Sequence, residues 1–157
     1  MEISLPGMVN LSKIKKITED FFSKMGVSGK IKVELISENT VSLNLETDEP
    51  QILIGKEGQT LSEIQRLLLR ILRKQIKEMF FIDLDVNDYK KKKFDYLKEL
   101  AKQLADEVVL TKKEKILSPM PSYERRVIHL EISKREDVKS ESTGEEPERR
   151  IVIKPII

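Results

Sequence analysis

Ile52-Leu53-Ile54-Gly55-Lys56-Glu57-Gly58-Gln59-Thr60-Leu61 decides how the rest of this 157-residue chain is read. A short apolar turn runs into a Gly-x-x-G loop, Gly55 to Gly58, and the loop opens a long amphipathic stretch. Two glycines let the backbone turn tightly and come close to a ligand. The helix start that follows offers unpaired N–H groups and the positive end of a dipole, a setting suited to phosphate.

Upstream, Leu11, Ile14, Ile17, Phe21, Phe22 and Met25 recur at helical spacing, with Asn10 as N-cap and Gly26 as stop. Ile31, Val33 and Leu35 alternate with polar residues. After the turn Ser37-Glu38-Asn39-Thr40, Val41, Leu43 and Leu45 alternate again, a hairpin pattern. Pro50 starts a short helical turn into the glycine loop. Downstream, Leu61, Ile64, Leu68, Ile71, Leu72 and Met79 form an apolar stripe, with Arg66, Arg70, Arg73 and Lys77 on the opposite helix face. Phe81–Val86 alternates as a strand. Helix, strand, strand, short helix, Gly-x-x-G, helix, strand is the order of the bacterial-type (type II) KH domain, whose loop clamps a nucleic-acid backbone.

Past Val86 the pattern restarts, and the boundary is expected near Asn87. Asp88 leads a helix with a stripe of Phe94, Leu97, Ala101, Leu104 and Val108, entered through Lys90–Lys93. Lys115–Leu117 reads as a short strand. Ser122 is placed to cap a helix through Glu131. Strands near Val138 and over Arg149–Lys154 flank a turn at Gly144. Arg125 and His129 stand four apart, so both project from one helix face, which is expected to meet solvent.

Composition narrows the chemistry. Apolar residues (39%) suffice for a core, while 36% of the chain is charged. There is no Cys and a single His, which excludes a disulfide framework and thiolate chemistry and disfavours a structural zinc site. No apolar run approaches the ~20 residues needed to span a bilayer. The N-terminus lacks the basic and apolar regions of a signal peptide, so a cytoplasmic location is expected. The net charge of +2 hides an asymmetry: ten Lys/Arg face six Asp/Glu between Lys56 and Lys93, whereas seven acids face three bases between Glu131 and Glu148. The position of positive charge matters more for nucleic acid than its total.

Arg-x-x-x-His on the second helix of a helix–strand–helix–strand–strand unit is the signature of the R-3-H domain. Two longer stretches surround it: Ile116-Leu117-Ser118-Pro119-Met120-Pro121-Ser122-Tyr123-Glu124-Arg125-Arg126-Val127-Ile128-His129-Leu130, and Ser142-Thr143-Gly144-Glu145-Glu146-Pro147-Glu148-Arg149-Arg150-Ile151-Val152-Ile153. With the glycine-loop motif and Asp85-Val86-Asn87-Asp88-Tyr89-Lys90, they make the chain resemble the Jag family of SpoIIIJ-associated proteins over roughly residues 10–155. The resemblance implies an α/β (α+β) chain: a type II KH domain over 10–86, then a small R-3-H α/β domain over 87–157 with a three-stranded sheet and two helices. It implies a non-catalytic binder of single-stranded RNA, with single-stranded DNA also accommodated. Such a protein would act as a post-transcriptional regulator linked to control of the cell envelope and elongation.

Carried over by position, Gly55, Lys56, Glu57 and Gly58 would form the backbone clamp, with Gln59 beside it. On electrostatic grounds, apart from the resemblance, the basic helix face with Arg66 and Arg70 would extend the track from that loop. Arg125 and His129 would be the R-3-H pair, and Arg149 and Arg150 would fill the basic positions before the last strand. No cofactor, metal or catalytic residue is expected. Glu57 stands where a basic residue is common in the family, which should weaken phosphate binding by the loop. Many members carry an N-terminal Jag domain, which this chain is expected to lack. An alternative reading is an adaptor that pairs through its KH domain with a second small KH protein or with itself, RNA being incidental. A nuclease is disfavoured by one His and scattered carboxylates.

Overall fold

The computed structural model describes residues 9–156, which divide into two compact units between Lys90 and Lys91. The first unit begins with α1 (Leu11–Lys24). Asn10 caps it, its Oδ1 accepting from the Lys13 N–H at 3.1 Å. Ile14, Thr18 and Phe22 form its inner face; Thr18 is tolerated there because its hydroxyl donates to the Ile14 carbonyl at 2.7 Å.

Strands β1 (Lys30–Leu35) and β2 (Thr40–Glu46) pair antiparallel, and β3 (Phe81–Val86) joins β2 in parallel, giving the order β1-β2-β3. The parallel partner requires a crossover, supplied by α2 (Pro50–Ile54), a 3-10 turn over Lys56–Gly58 and α3 (Gln59–Gln75). Val41, Leu43 and Leu45 of β2 face Ile82, Leu84 and Val86 in register. Together with Leu61, Leu68 and Leu72 from α3 and Ile14 from α1, they build one closed core. Its element order is that of the type II KH domain.

The α3 stripe ends differently from the sequence expectation. The helix stops at Gln75, and Ile76 turns into extended backbone (φ −125°, ψ 122°). Ile76 and Phe80 are buried, whereas Met79 is 71% exposed. Phe80, off the stripe that Met79 would have continued, enters the core together with Ile76, and burying it favours ending the helix there. Lys77 therefore leaves the helix that carries Arg66, Arg70 and Arg73. The unit closes at Asn87, whose side chain accepts from the Thr47 N–H and donates to the Thr47 carbonyl, both at 2.9 Å. Asp85 caps the next helix, accepting the Lys90 N–H; its carboxyl is pushed up by burial.

Helix α4 (Tyr89–Thr111) runs into the second unit, followed by β4 (Lys115–Ile116), α5 (Ser122–Ser133), β5 (Val138–Thr143) and β6 (Arg150–Pro155). The sheet order is β4-β6-β5, all antiparallel. Leu97, Ala101, Ala105 and Val108 of α4 share a core with Val127, Ile128 and Ile132 of α5 and with Val138, Ile151 and Ile153. Phe94, expected in that stripe, is instead 42% exposed. The N-cap of α5 is Pro121, not Ser122: the Pro121 carbonyl accepts from the Glu124 and Arg125 N–H groups, and Ser122 is the first helical residue.

Candidate nucleic-acid interface

In the first unit the glycine loop adopts a conformation its sequence demands. Gly55 has φ 69° and ψ −168°, and a Cβ there would collide with the Thr60 side chain. Gly58 has φ 79°, and its missing side chain faces the Tyr89 ring, whose Cε1 would lie 3.2 Å from a Cβ. Glu57 is also left-handed, at φ 54°. This bend leaves Lys56, Glu57 and Gln59 exposed ahead of α3, whose first turn has no side-chain cap. Its N–H groups and dipole therefore point at the loop.

Arg66 and Arg70 follow on α3 and are exposed. Arg73 is engaged within the unit: its Nη2 donates to the Phe80 carbonyl at 3.2 Å, and its guanidinium stands 5.3 Å from the Phe81 ring centroid.

In the second unit one open depression of about 440 Å³ is lined by Ser122, Arg125, Arg126, His129, Leu130, Ser133, Ser142 and Arg149. Arg125 departs from the expectation that it faces solvent. Its side chain is only 9% exposed, and two donors are consumed by the protein: Nη1 on the Met120 carbonyl (2.8 Å) and Nη2 on Glu146 Oε1 (2.6 Å). Its guanidinium holds the Glu146 carboxyl below its ordinary pKa.

His129 is half-buried, with Nδ1 2.6 Å from Ser140 Oγ. Burial, then the positive Arg125 and Arg149, hold its pKa below 6.5. At neutral pH it is an uncharged imidazole anchored through one nitrogen. Arg149 donates to the Gly144 carbonyl at 2.7 Å, which fixes it at the rim.

Arg150 does not join this group. Strand parity places it opposite Thr143, whereas Ser142, which lines the depression, sits opposite Ile151. Arg150 instead pairs with Glu148, at 3.7 Å.

Arg126 is the residue that sequence reasoning passed over. It is exposed, lines the depression and makes no ion pair among the described residues. Its spacing of three from His129 was the available signal. The arrangement thus offers two arginines, Arg126 and Arg149, flanking a neutral imidazole over a buried, internally paired arginine. Such a group recognises phosphate and hydrogen-bonding or stacking partners. Among the described residues no cluster of His, Cys, Asp and Glu is placed to hold a metal ion, and no helix is long and apolar enough to cross a membrane.

The R-3-H domain family matches residues 95–155. The chain is 36% identical to the RNA-binding protein KhpB of Clostridium symbiosum over 90% of its own length and 64% of that protein. It is 35% identical to the protein of that name from Bacillus subtilis, over 81% of the chain and 62% of the relative. For the Lactiplantibacillus plantarum protein of that name the identity is 34%, over 83% and 40% respectively. The chain thus spans less than two thirds of each of these relatives.

Proposed function

We propose that the chain, which resembles the KhpB (Jag) proteins over most of its length, binds single-stranded RNA through two modules without altering it chemically. The observation that carries the reading is the convergence of Arg126, Arg149 and neutral His129 on one open depression. This depression lies inside the segment that the R-3-H family matches. The second element is the Gly55–Gly58 loop, with Arg66 and Arg70 behind it. In this reading residues 10–86 act as the KH module and 87–157 as the R-3-H module, in the cytoplasm, on transcripts concerned with the cell envelope and elongation. That setting rests on the resemblance to the Jag family alone. Arg125 serves as the post that holds the second site in shape, and Arg150 contributes only general positive charge.

The test is titration of the full chain with single-stranded RNA at several salt concentrations. Binding with a negative log–log slope, weakened by Arg126→Gln and Arg149→Gln without loss of thermal stability, supports the reading. Binding that ignores both substitutions removes the second site from it.

The adaptor reading draws on a separate observation in the first unit. Ile52 on α2 and Leu67 on α3 are 69% and 53% exposed, more apolar surface than an RNA clamp needs. Co-purification of a second small KH protein, lost on Ile52→Ser and Leu67→Ser while RNA affinity persists, would favour it.

A further inference from the structure

Glu124 lies on the first turn of α5 and is only 2% exposed. Two groups meet at its Oε1: the Lys93 ammonium of α4 at 3.9 Å, and the Tyr123 hydroxyl, which donates at 3.5 Å. The Lys93 ammonium also stands 5.9 Å from the Tyr96 ring centroid. A buried carboxylate is costly unless paired, so Glu124 holds Lys93 and Tyr123 in place and, through Lys93, the neighbourhood of Tyr96. Both rings are nonetheless outside the core, Tyr96 59% and Tyr123 55% exposed. Tyr123 adjoins Ser122, which lines the arginine depression. The second unit therefore carries two exposed aromatic rings and a cation gathered about Glu124, one of the rings next in sequence to a residue of the depression, and none of them is needed to fill the hydrophobic core.

We propose that Tyr96 and Tyr123, organised around Glu124 and Lys93, form a base-stacking subsite that continues the arginine depression along the same RNA strand. The inference rests on the RNA-binding reading above and extends it from phosphate to base. Stacking on aromatic faces accepts any unpaired base because every base has a π-face. A duplex cannot use it, since its bases are already stacked on one another. Lys93, 5.9 Å from the Tyr96 ring centroid, would supply positive charge for the phosphate of a stacked nucleotide, and the exposed Lys92 adds to it. Single-stranded RNA is favoured over an acidic protein partner because the platform pairs flat rings with the cation, a combination that a base and its phosphate match together.

The chain has three tyrosines and no tryptophan, so tyrosine emission reports stacking at Tyr96 and Tyr123 once the share of Tyr89, which faces Gly58, is read from the chain with both others replaced by Phe. The full chain is titrated with oligoadenylate and oligouridylate, following both affinity and tyrosine quenching, beside melting curves. Tyr96→Ala and Tyr123→Ala should each weaken oligoadenylate binding by about tenfold and narrow the preference for adenylate over uridylate. Tyr96→Phe and Tyr123→Phe, which keep the ring, should retain affinity. The Tyr96 variants should melt near the unsubstituted chain, whereas Tyr123→Ala and Tyr123→Phe, which both take the hydroxyl from the buried Glu124, should melt somewhat lower and by similar amounts while remaining folded. Folded Ala variants with undiminished affinity, or binding without quenching, would overturn the subsite and leave the RNA-binding reading intact. Phe variants as weak as the Ala variants would overturn stacking in favour of the hydroxyls. Failure of the unsubstituted chain to bind either RNA would overturn both.

Discussion

Arg125 and Glu146 close on each other at 2.6 Å, the arginine almost wholly buried and the glutamate 60% exposed on the acidic turn. The first arginine of the Arg-x-x-x-His pair is thus a structural post, and the acid that ties it stands beside a candidate phosphate site. Arg125→Ala should destabilise the second unit by about 1–3 kcal/mol, largely because the Met120 carbonyl loses its donor inside the protein. Arg126→Gln should change stability by less than about 0.5 kcal/mol, as exposed substitutions do, while weakening RNA binding. Chemical denaturation of the two variants side by side checks this. A stable Arg125→Ala protein with lost RNA affinity would reverse the roles.

Glu146→Gln separates structure from electrostatics at the same place. It removes a negative charge from the rim and weakens the Arg125 tie. RNA affinity should rise, and the log–log salt slope should steepen because Arg125 regains positive field. Reduced affinity would mean that an ordered acidic turn matters more than its charge.

Stability should depend on His129 with a definite sign. Its pKa is lowered in the folded protein by burial and by Arg125 and Arg149, so the unfolded chain takes up the proton first as pH falls. The contribution is complete above about pH 6.5 and is lost as pH drops from there through the lower folded value. The melting temperature should therefore fall between pH 7.5 and 5.5 by more in the unsubstituted chain than in His129→Gln. Equal falls in both would assign the pH dependence to other groups.

The parts of this fold that sequence made legible are those governed by neighbours along the chain. Asn10 caps α1 because a side-chain acceptor reaches three residues ahead, and Val41, Leu43 and Leu45 alternate because one face of β2 is buried. Gly55 and Gly58 announce left-handed backbone by their composition. What stayed hidden depends on partners far away in sequence. The inward turn of Arg125 is set by Glu146, 21 residues on. The end of α3 at Gln75 is set by a core that captures Ile76 and Phe80. Arg149 and Arg150 look equivalent in sequence, and only the register of β5 against β6 sends them apart.

The α3 arginines offer the sharpest test of the first unit, because the structure divides a stripe that looks uniform in sequence. All three are exposed, but Arg73 alone spends a donor on the Phe80 carbonyl and stands against the Phe81 ring. If the glycine loop and α3 follow an RNA backbone, Arg66→Gln and Arg70→Gln should each lower the salt slope by about 0.7, the value for one single-strand phosphate contact. The loss should be similar for every RNA sequence, since phosphate contacts carry no sequence information. Arg73→Gln should leave the slope unchanged and instead lower the melting temperature, as the β3 entrance loses its anchor. Lys56→Asp should act like the Arg66 and Arg70 variants but more strongly, putting a negative charge where phosphate approaches the loop. Salt titrations and melting curves on the four variants decide the matter. An unchanged slope for Arg66, Arg70 and Lys56 variants that remain folded would remove this unit from the RNA path and leave its exposed face to a protein partner.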